Sequence, residues 1–353
     1  MLKSLKKHSW LYYELGRADI ITTKSKGGWR RILPGLLLSA VSIGIVIYLA
    51  DLRQVGLALR SLNSFFIAGT LIITLGWLGV RSIVWRTLLQ DQATFRQVFL
   101  TLNEGYLLNN VLPFRLGEVG RSFLLGRKTG LGFWHVLSSI VLERSLDLVM
   151  ATGLVLAVLP FVVGAAWARE GALLVGGVVV AGFVILYLLA RHREIALDRF
   201  QIFTNRWPFL SDIGQNAIPA FLSGLVVLTD GKKLLKVIAW MIINWSLTIL
   251  QFFFLMVAFF PSAKVIWAAF SVGVVSLGIA VPTMPGAVGV WELSIVAALS
   301  VFNLDLSVAL AYALTIHFSN YLVTGVIGAY ALARDGESLL GLFHRLRLKA
   351  ERH

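Results

Sequence analysis

The chain contains no cysteine. That excludes disulfides, thiolate metal sites and cysteine nucleophiles. Charge is scarce too. Only 14% of residues are charged and 58% are apolar, where soluble globular proteins average about 25% and about 45–50%. Acidic residues are scarcest, 18 against 32 Lys and Arg, for a net charge of +14. The basic residues sit between apolar runs, where the positive-inside rule places them, and that sets aside a nucleic-acid partner. No HExxH, P-loop, GxSxG or CxxC pattern occurs, so neither a metal, a cofactor nor an enzymatic role is expected.

What the chain does have is apolar runs of about 20 residues, enough to cross a bilayer. The expected spans are 32–50, 65–85, 132–159, 171–190, 237–260 and 306–332, with broken apolar segments at 97–112, 265–281 and 286–302. The expected fold class is an all-α polytopic membrane protein. The first 31 residues hold eight Lys and Arg against Glu14 and Asp19. This stretch is too long and polar for the leading region of a signal peptide, and it reads as a cytoplasmic basic tail. A second basic tail is expected over 334–353, and a basic, partly amphipathic loop over 191–236. Arg81 and Arg86 are expected to anchor at the membrane interface, as are many tryptophans. Both termini are expected in the cytoplasm, since the tails, the 81–96 and 121–128 regions and the long loop are all basic.

The few prolines are informative. Pro113-Phe114-Arg115-Leu116-Gly117-Glu118-Val119-Gly120 and Pro282-Thr283-Met284-Pro285-Gly286-Ala287-Val288-Gly289 share the pattern P-x-x-x-G-x-V-G. Each copy interrupts an apolar stretch and precedes a helix with polar residues. With the charge bias, the motifs start and finish on opposite faces. The chain therefore reads as an inverted repeat, about 32–160 and 171–333, of transmembrane helices with two broken or re-entrant hairpins. Such repeats place a site at their interface near the midplane.

Candidate residues follow. Glu143, Arg144 and Asp147 lie about 18–22 Å into their span at 1.5 Å rise per residue and share one helix sector, so they must face the bundle interior. Arg115, Glu118 and Arg121 surround Gly117 and Gly120, where glycine lets backbone amides approach a ligand. Arginine forks suit an oxyanion such as phosphate. Asn103, Glu104, Asn109 and Asn110 are costly in lipid and should line the first broken hairpin. In the second half Glu292 and His317 are candidates for charge relay or coupling with Glu143 and Asp147. Asn320 lies nearby. Pro113, Pro282, Pro285, Gly286 and Gly289 mark the broken helices.

The run Asn109 to Arg121, followed by Glu143-Arg144-Ser145-Leu146-Asp147, and the later run Val281 to Glu292 resemble the two signatures of the lysylphosphatidylglycerol synthase transmembrane region, or flippase-like, family. The resemblance covers about residues 30–335. It implies a single flippase-like transmembrane domain over 32–333, a bacterial plasma membrane, and a lipid-transport role for Arg115, Glu118, Arg121, Arg144 and Asp147. No soluble synthase domain is expected after it, so synthase activity is not carried over. His317 departs from the arginine expected in the second half. The leading expectation is a flippase moving an anionic or headgroup-modified lipid by alternating access. The candidates are a phospholipid, a polyprenyl-phosphate-linked sugar or a related lipid. Arg115, Gly117, Glu118, Gly120, Arg121, Arg144, Asn109 and Asn110 would meet the headgroup. The alternatives are a membrane-embedded transferase using a lipid-phosphate donor, or an accessory subunit of a cell-envelope enzyme. Membrane lipids are the expected partners, with a cell-envelope enzyme or a second copy of the chain left open.

Overall fold

A computed structural model describes residues 28–112, 115–162, 166–205, 215, 217–280 and 284–336. Pro113 and Pro282, both expected in the broken-helix motifs, lie outside the described residues. Met1–Pro34 separates from a compact unit, Gly35–His353, and the contacts that build the site all lie within the second unit.

Among the described residues the chain is helical, as an apolar chain in lipid must be if every backbone group is to be bonded within its own segment. The helices are α1 Gly28–Leu49, α2 Leu52–Arg60, α3 Ser64–Leu88, α4 Phe95–Val111, α5 Leu116–Thr129, α6 Phe133–Val162 and α7 Ala166–Arg191. They continue as α8 Arg193–Asn205, α9 Ile218–Gly224, α10 Gly231–Phe259, α11 Val265–Gly278, α12 Val290–Ser300 and α13 Leu306–Arg334. Starts are fixed by side-chain caps: Asp51, Asn63, Asp230 and Asp305 each accept a bond from a first-turn N–H, and Thr94 with Gln97 forms a capping box.

Four of these helices are long and apolar enough to cross a membrane, or five if Leu37–Leu49 and Leu52–Arg60, bent by 84°, form one broken span. Helices α4, α5, α11 and α12 have 17, 14, 14 and 11 residues. At 1.5 Å per residue they reach about 17–26 Å, short of the roughly 30 Å hydrocarbon core. Each broken segment is thus a pair of short helices, α4 with α5 and α11 with α12, rather than one continuous span. Their flanking spans present apolar side chains outward, with Tyr48, Phe65, Ile72 and Phe318 exposed, as suits lipid.

Packing follows the expected repeat. α3 packs on α10; α4 packs on α13 as α11 packs on α6; α5 packs on α6 as α12 packs on α13. Exchanging the halves converts each pair into its counterpart. Both cross-half pairs close on a glycine: a Cβ at Gly328 would press on the Asn103 carbonyl, and one at Gly273 on Val155 and the Ala151 carbonyl. With no hydrophobic drive between helices in lipid, such close approach supplies the van der Waals contact.

The 191–236 segment is not the loop expected from its charges. It holds α8, α9 and a 3-10 turn at Leu225–Leu228. Leu222, Leu225, Val227 and Leu228 are buried in the main core. Its basic residues hid an apolar set that packs inward.

Candidate functional site

Between the halves lies a cavity of about 610 Å³. One end is arginine-rich. Arg81 of α3 is only 3% exposed. It forks onto Asp147, donating Nη1 to Oδ1 at 2.8 Å and Nη2 to Oδ2 at 2.5 Å, and Nη2 also reaches Glu143 Oε1 at 2.5 Å. Arg144 of α6 pairs with Glu118 Oε1 at 2.9 Å, Asp147 Oδ2 at 3.3 Å and Glu143 Oε1 at 3.5 Å. Arg115 has one carboxylate neighbour within ion-pair range among the described residues, Glu118 at 3.7 Å. Four guanidinium groups, Arg81, Arg115, Arg121 and Arg144, meet three carboxylates, Glu118, Glu143 and Asp147. The network keeps one positive charge. That surplus, held in apolar surroundings, attracts an anion more strongly than the same charge in water would.

The other wall is neutral and polar. Gln251 Nε2 donates to Thr74 Oγ1 at 2.6 Å and to Asn320 Oδ1 at 2.8 Å. Asn110 Nδ2 donates to Thr324 Oγ1 at 3.2 Å. These bonds join α3, α4, α10 and α13 and bind the two halves across the cavity.

The cavity wall includes Asn109, Asn110, Arg115, Glu118, Arg144, Asp147, Gly286 and His317, so eight of the expected site residues meet in one place. Others do different work. Arg121 is 2% exposed, lies 4.5 Å over the Trp85 ring and donates to Glu143 Oε1 at 3.2 Å. It does not line the cavity, and its expected headgroup contact becomes a brace for Glu143. Arg121 lies within α5 and packs over Trp85 of α3, whereas Arg115 stands ahead of the helix as its N-cap. Glu143 is buried behind the same wall.

Gly117 and Gly120 were expected to meet the headgroup, and they pack inside the hairpin instead. The Gly117 N–H is bonded to Asn109 Oδ1 at 2.9 Å, and a Cβ on Gly117 would strike the Gly105 carbonyl. The pair of short helices can lie this close only without that carbon. Gly117→Val is expected to open the α4–α5 hairpin and lower apparent thermal stability by about 1–3 kcal/mol, the usual overpacking cost. An unshifted melting curve in detergent would contradict this.

The two motifs share spacing but not backbone. In the first, Arg115 takes the left-handed conformation, φ 54° and ψ 36°, just before α5. In the second, positive φ falls on Gly286, Ala287 and Gly289. There Glu292 Oε2 accepts the Gly289 N–H at 2.7 Å, while its Oε1 lies 2.5 Å from His317 Nδ1. Pro285 opens the turn.

Sequence reasoning misplaced Arg81, expected at the interface. Arg86, given the same expectation, has a side chain 40% exposed and pairs with Asp91 at 3.4 Å. The available signal was stoichiometric: two carboxylates at 143 and 147 with one arginine beside them demand a further cation from another helix.

At the far end of α5, Lys128 donates to Glu104 Oε2 at 2.8 Å and Thr101 Oγ1 at 3.1 Å and pairs with Asp335, tying α4, α5 and the end of α13. Burial pushes the Asp335 carboxyl up, but the hydrogen bond and charge of Lys128 draw it, on balance, below its ordinary value. Its contribution is therefore full above the ordinary aspartate pKa and fades as pH falls through the lowered one. Lys128→Ala leaves the fully buried Glu104 carboxylate unpaired. The expected cost is about 1–3 kcal/mol, seen as a lower unfolding temperature that Glu104→Gln in the same chain partly restores.

No curated protein and no solved structure matches the chain. A family model, described as the lysylphosphatidylglycerol synthase TM region, matches residues 32–328.

Proposed function

The chain belongs to the lysylphosphatidylglycerol synthase TM region family, and from that premise we propose that it moves an anionic lipid across the bilayer. The observation that carries this reading is the single positive charge left on the cavity wall beside Arg115. A headgroup phosphate neutralises it, while acyl chains stay in the surrounding lipid. Arg115 and Arg144 supply oxyanion donors; Asn109, Asn110 and Asn320 supply neutral hydrogen bonds to the rest of the headgroup. The broken hairpins form opposite walls, so rocking the halves exposes the cavity to one side and then the other. Transport requires the headgroup to bind the two states unequally.

A transferase reading, which would need Glu118 or Asp147 as base, is weaker because both are occupied: Asp147 is held by the Arg81 fork and Glu118 lies 2.9 Å from Arg144. A carboxylate so paired is a poor proton acceptor.

The test is transfer of labelled phosphatidylglycerol and phosphatidylcholine between leaflets of vesicles holding the purified chain. The anionic lipid should cross at least tenfold faster than in empty vesicles, and the zwitterionic one should lag. Equal rates with and without protein would sink the transport reading. The reading also puts both basic ends and the 81–96 region on the cytoplasmic side of a bacterial plasma membrane. Because the chain has no cysteine, a single introduced thiol reports its side without background. Gln92→Cys should react with an impermeant maleimide only after cells are opened, and Asn303→Cys before.

A further inference from the structure

The second broken helix brings a carboxyl group against an imidazole. His317 Nε2 lies 3.1 Å from the Gly286 carbonyl, which can only accept, so Nε2 carries hydrogen. Glu292 Oε2 receives the Gly289 N–H at 2.7 Å, which can only donate, so Oε2 is an acceptor. One gap remains, Glu292 Oε1 to His317 Nδ1 at 2.5 Å. Two lone pairs cannot face each other at that distance, so one proton sits between them, whichever atom holds it. The ring cannot easily turn away: it stacks on Trp291 at 4.7 Å and 14° and meets the Tyr321 edge at 4.7 Å.

We propose that the Glu292–His317 pair is a proton-binding site, and that lipid movement is coupled to the uptake and release of its one proton. This rests on the transport reading of the same cavity. On release the shared hydrogen leaves as H⁺ to water entering the cavity, its bonding pair staying on nitrogen or oxygen. Uptake reverses this, and no electrons are exchanged. After release the carboxylate and the ring must part, or the remaining proton must move to Nδ1 and leave a lone pair facing the Gly286 carbonyl. Either course undoes a tie between α13 and the turn at Pro285–Ala287. In that turn Gly286, Ala287 and Gly289 sit at φ 68°, 58° and 87°. A non-glycine residue at positive φ is held there by its surroundings. The turn forms part of the cavity wall through Gly286 and Ala287, so the proton sets the shape of the chamber that holds the lipid.

The groups around the pair are few. Tyr321 of α13 is the titratable neighbour in ring contact. α10 and α4 offer the neutral Gln251 and Asn110, with Tyr106 of α4 further along the wall. α11 has no titratable residue. Across the cavity stand Arg81, Arg115, Glu118, Arg144 and Asp147.

The experiment uses vesicles of phosphatidylcholine with labelled phosphatidylglycerol, the membrane potential held at zero with potassium and valinomycin, and a gradient of one pH unit imposed. With one proton per lipid, wild type should build an asymmetry of about tenfold between leaflets, since a tenfold concentration ratio balances one pH unit. His317→Gln and Glu292→Gln, each monodisperse after purification, should give an asymmetry of one. Lipid exchange in wild type with no asymmetry overturns the coupling and leaves transport standing. No exchange by wild type, with or without the gradient, overturns both. Variants that still build the tenfold asymmetry overturn the assignment to this pair. If either variant fails to fold, the other decides, and Gly286→Ala, whose Cβ would overlap the Tyr321 hydroxyl, should reduce the asymmetry by displacing the turn.

Discussion

Arg81→Met is expected to be the most damaging single change away from the cavity's open face. Wild type and variant should differ by about 3–5 kcal/mol, the usual cost of deleting one partner from a buried ion pair. The reason is the number of charges that depend on this side chain. Its fork supplies both short bonds to Asp147 and the shortest to Glu143. Without it Glu143 keeps Arg121 at 3.2 Å and Arg144 at 3.5 Å, but among the described residues Asp147 keeps only Arg144 at 3.3 Å. Two carboxylates would then share cations in a membrane interior. Unfolding of such proteins is commonly irreversible, so the readout is an apparent melting temperature at fixed scan rate, followed by tryptophan fluorescence. Arg81→Lys should fall between, because one ammonium cannot span both Asp147 oxygens. Arg81→Met with Asp147→Asn should recover part of the loss. Arg86→Ala, whose pair with Asp91 at 3.4 Å is open to solvent, should cost less than about 1 kcal/mol. Equal melting temperatures for Arg81→Met and Arg86→Ala would show that the buried network does not hold the helices together.

Arg81 also shows where sequence reading stops. The membrane class, the paired motifs and the inward-facing triad at 143–147 were legible because each rests on a local cost: charge in lipid, or proline and glycine in an apolar run. Partner choice is not local. Arg81 meets carboxylates more than sixty positions away, and nothing in its own neighbourhood distinguishes it from Arg86. The glycines of the first motif were misread for a related reason. Their spacing announces close backbone approach, but whether a ligand or another helix comes close depends on what α4 presents. It presents the Gly105 carbonyl. Likewise an identical P-x-x-x-G-x-V-G spacing gives left-handed backbone at Arg115 in one copy and at Gly286, Ala287 and Gly289 in the other, because the residue types between the fixed positions differ. The pairing of α4 with α13 and of α6 with α11 needed the tertiary structure, although the repeat that underlies it was readable.

Arg115→Gln should abolish preferential retention of anionic lipid while leaving the fold intact. Its side chain is 31% exposed, and its one carboxylate neighbour within ion-pair range among the described residues, Glu118 at 3.7 Å, lies closer to Arg144 at 2.9 Å. Arg115 is therefore the member of the network whose charge is least compensated, and its removal strands no buried carboxylate. A hydrogen bond to a charged group contributes about 1.5–3 kcal/mol, so affinity for an anionic headgroup should fall roughly tenfold to a hundredfold. Native mass spectrometry of gently purified protein should show one anionic lipid class on wild type and an unselective mixture on the variant. Glu118→Gln moves the balance the other way. It raises the surplus from one charge to two, so the anionic lipid should be held more tightly and cross more slowly, because a cavity that binds too strongly releases poorly. The double variant Arg115→Gln/Glu118→Gln returns the surplus to one. If net charge on the wall sets selectivity, it should regain preference for the anionic class even though Arg115 is gone. If the guanidinium fork itself is required, selectivity stays lost. An unselective lipid mixture on wild type, unchanged in all three variants, would remove the phosphate from this cavity and the transport reading with it.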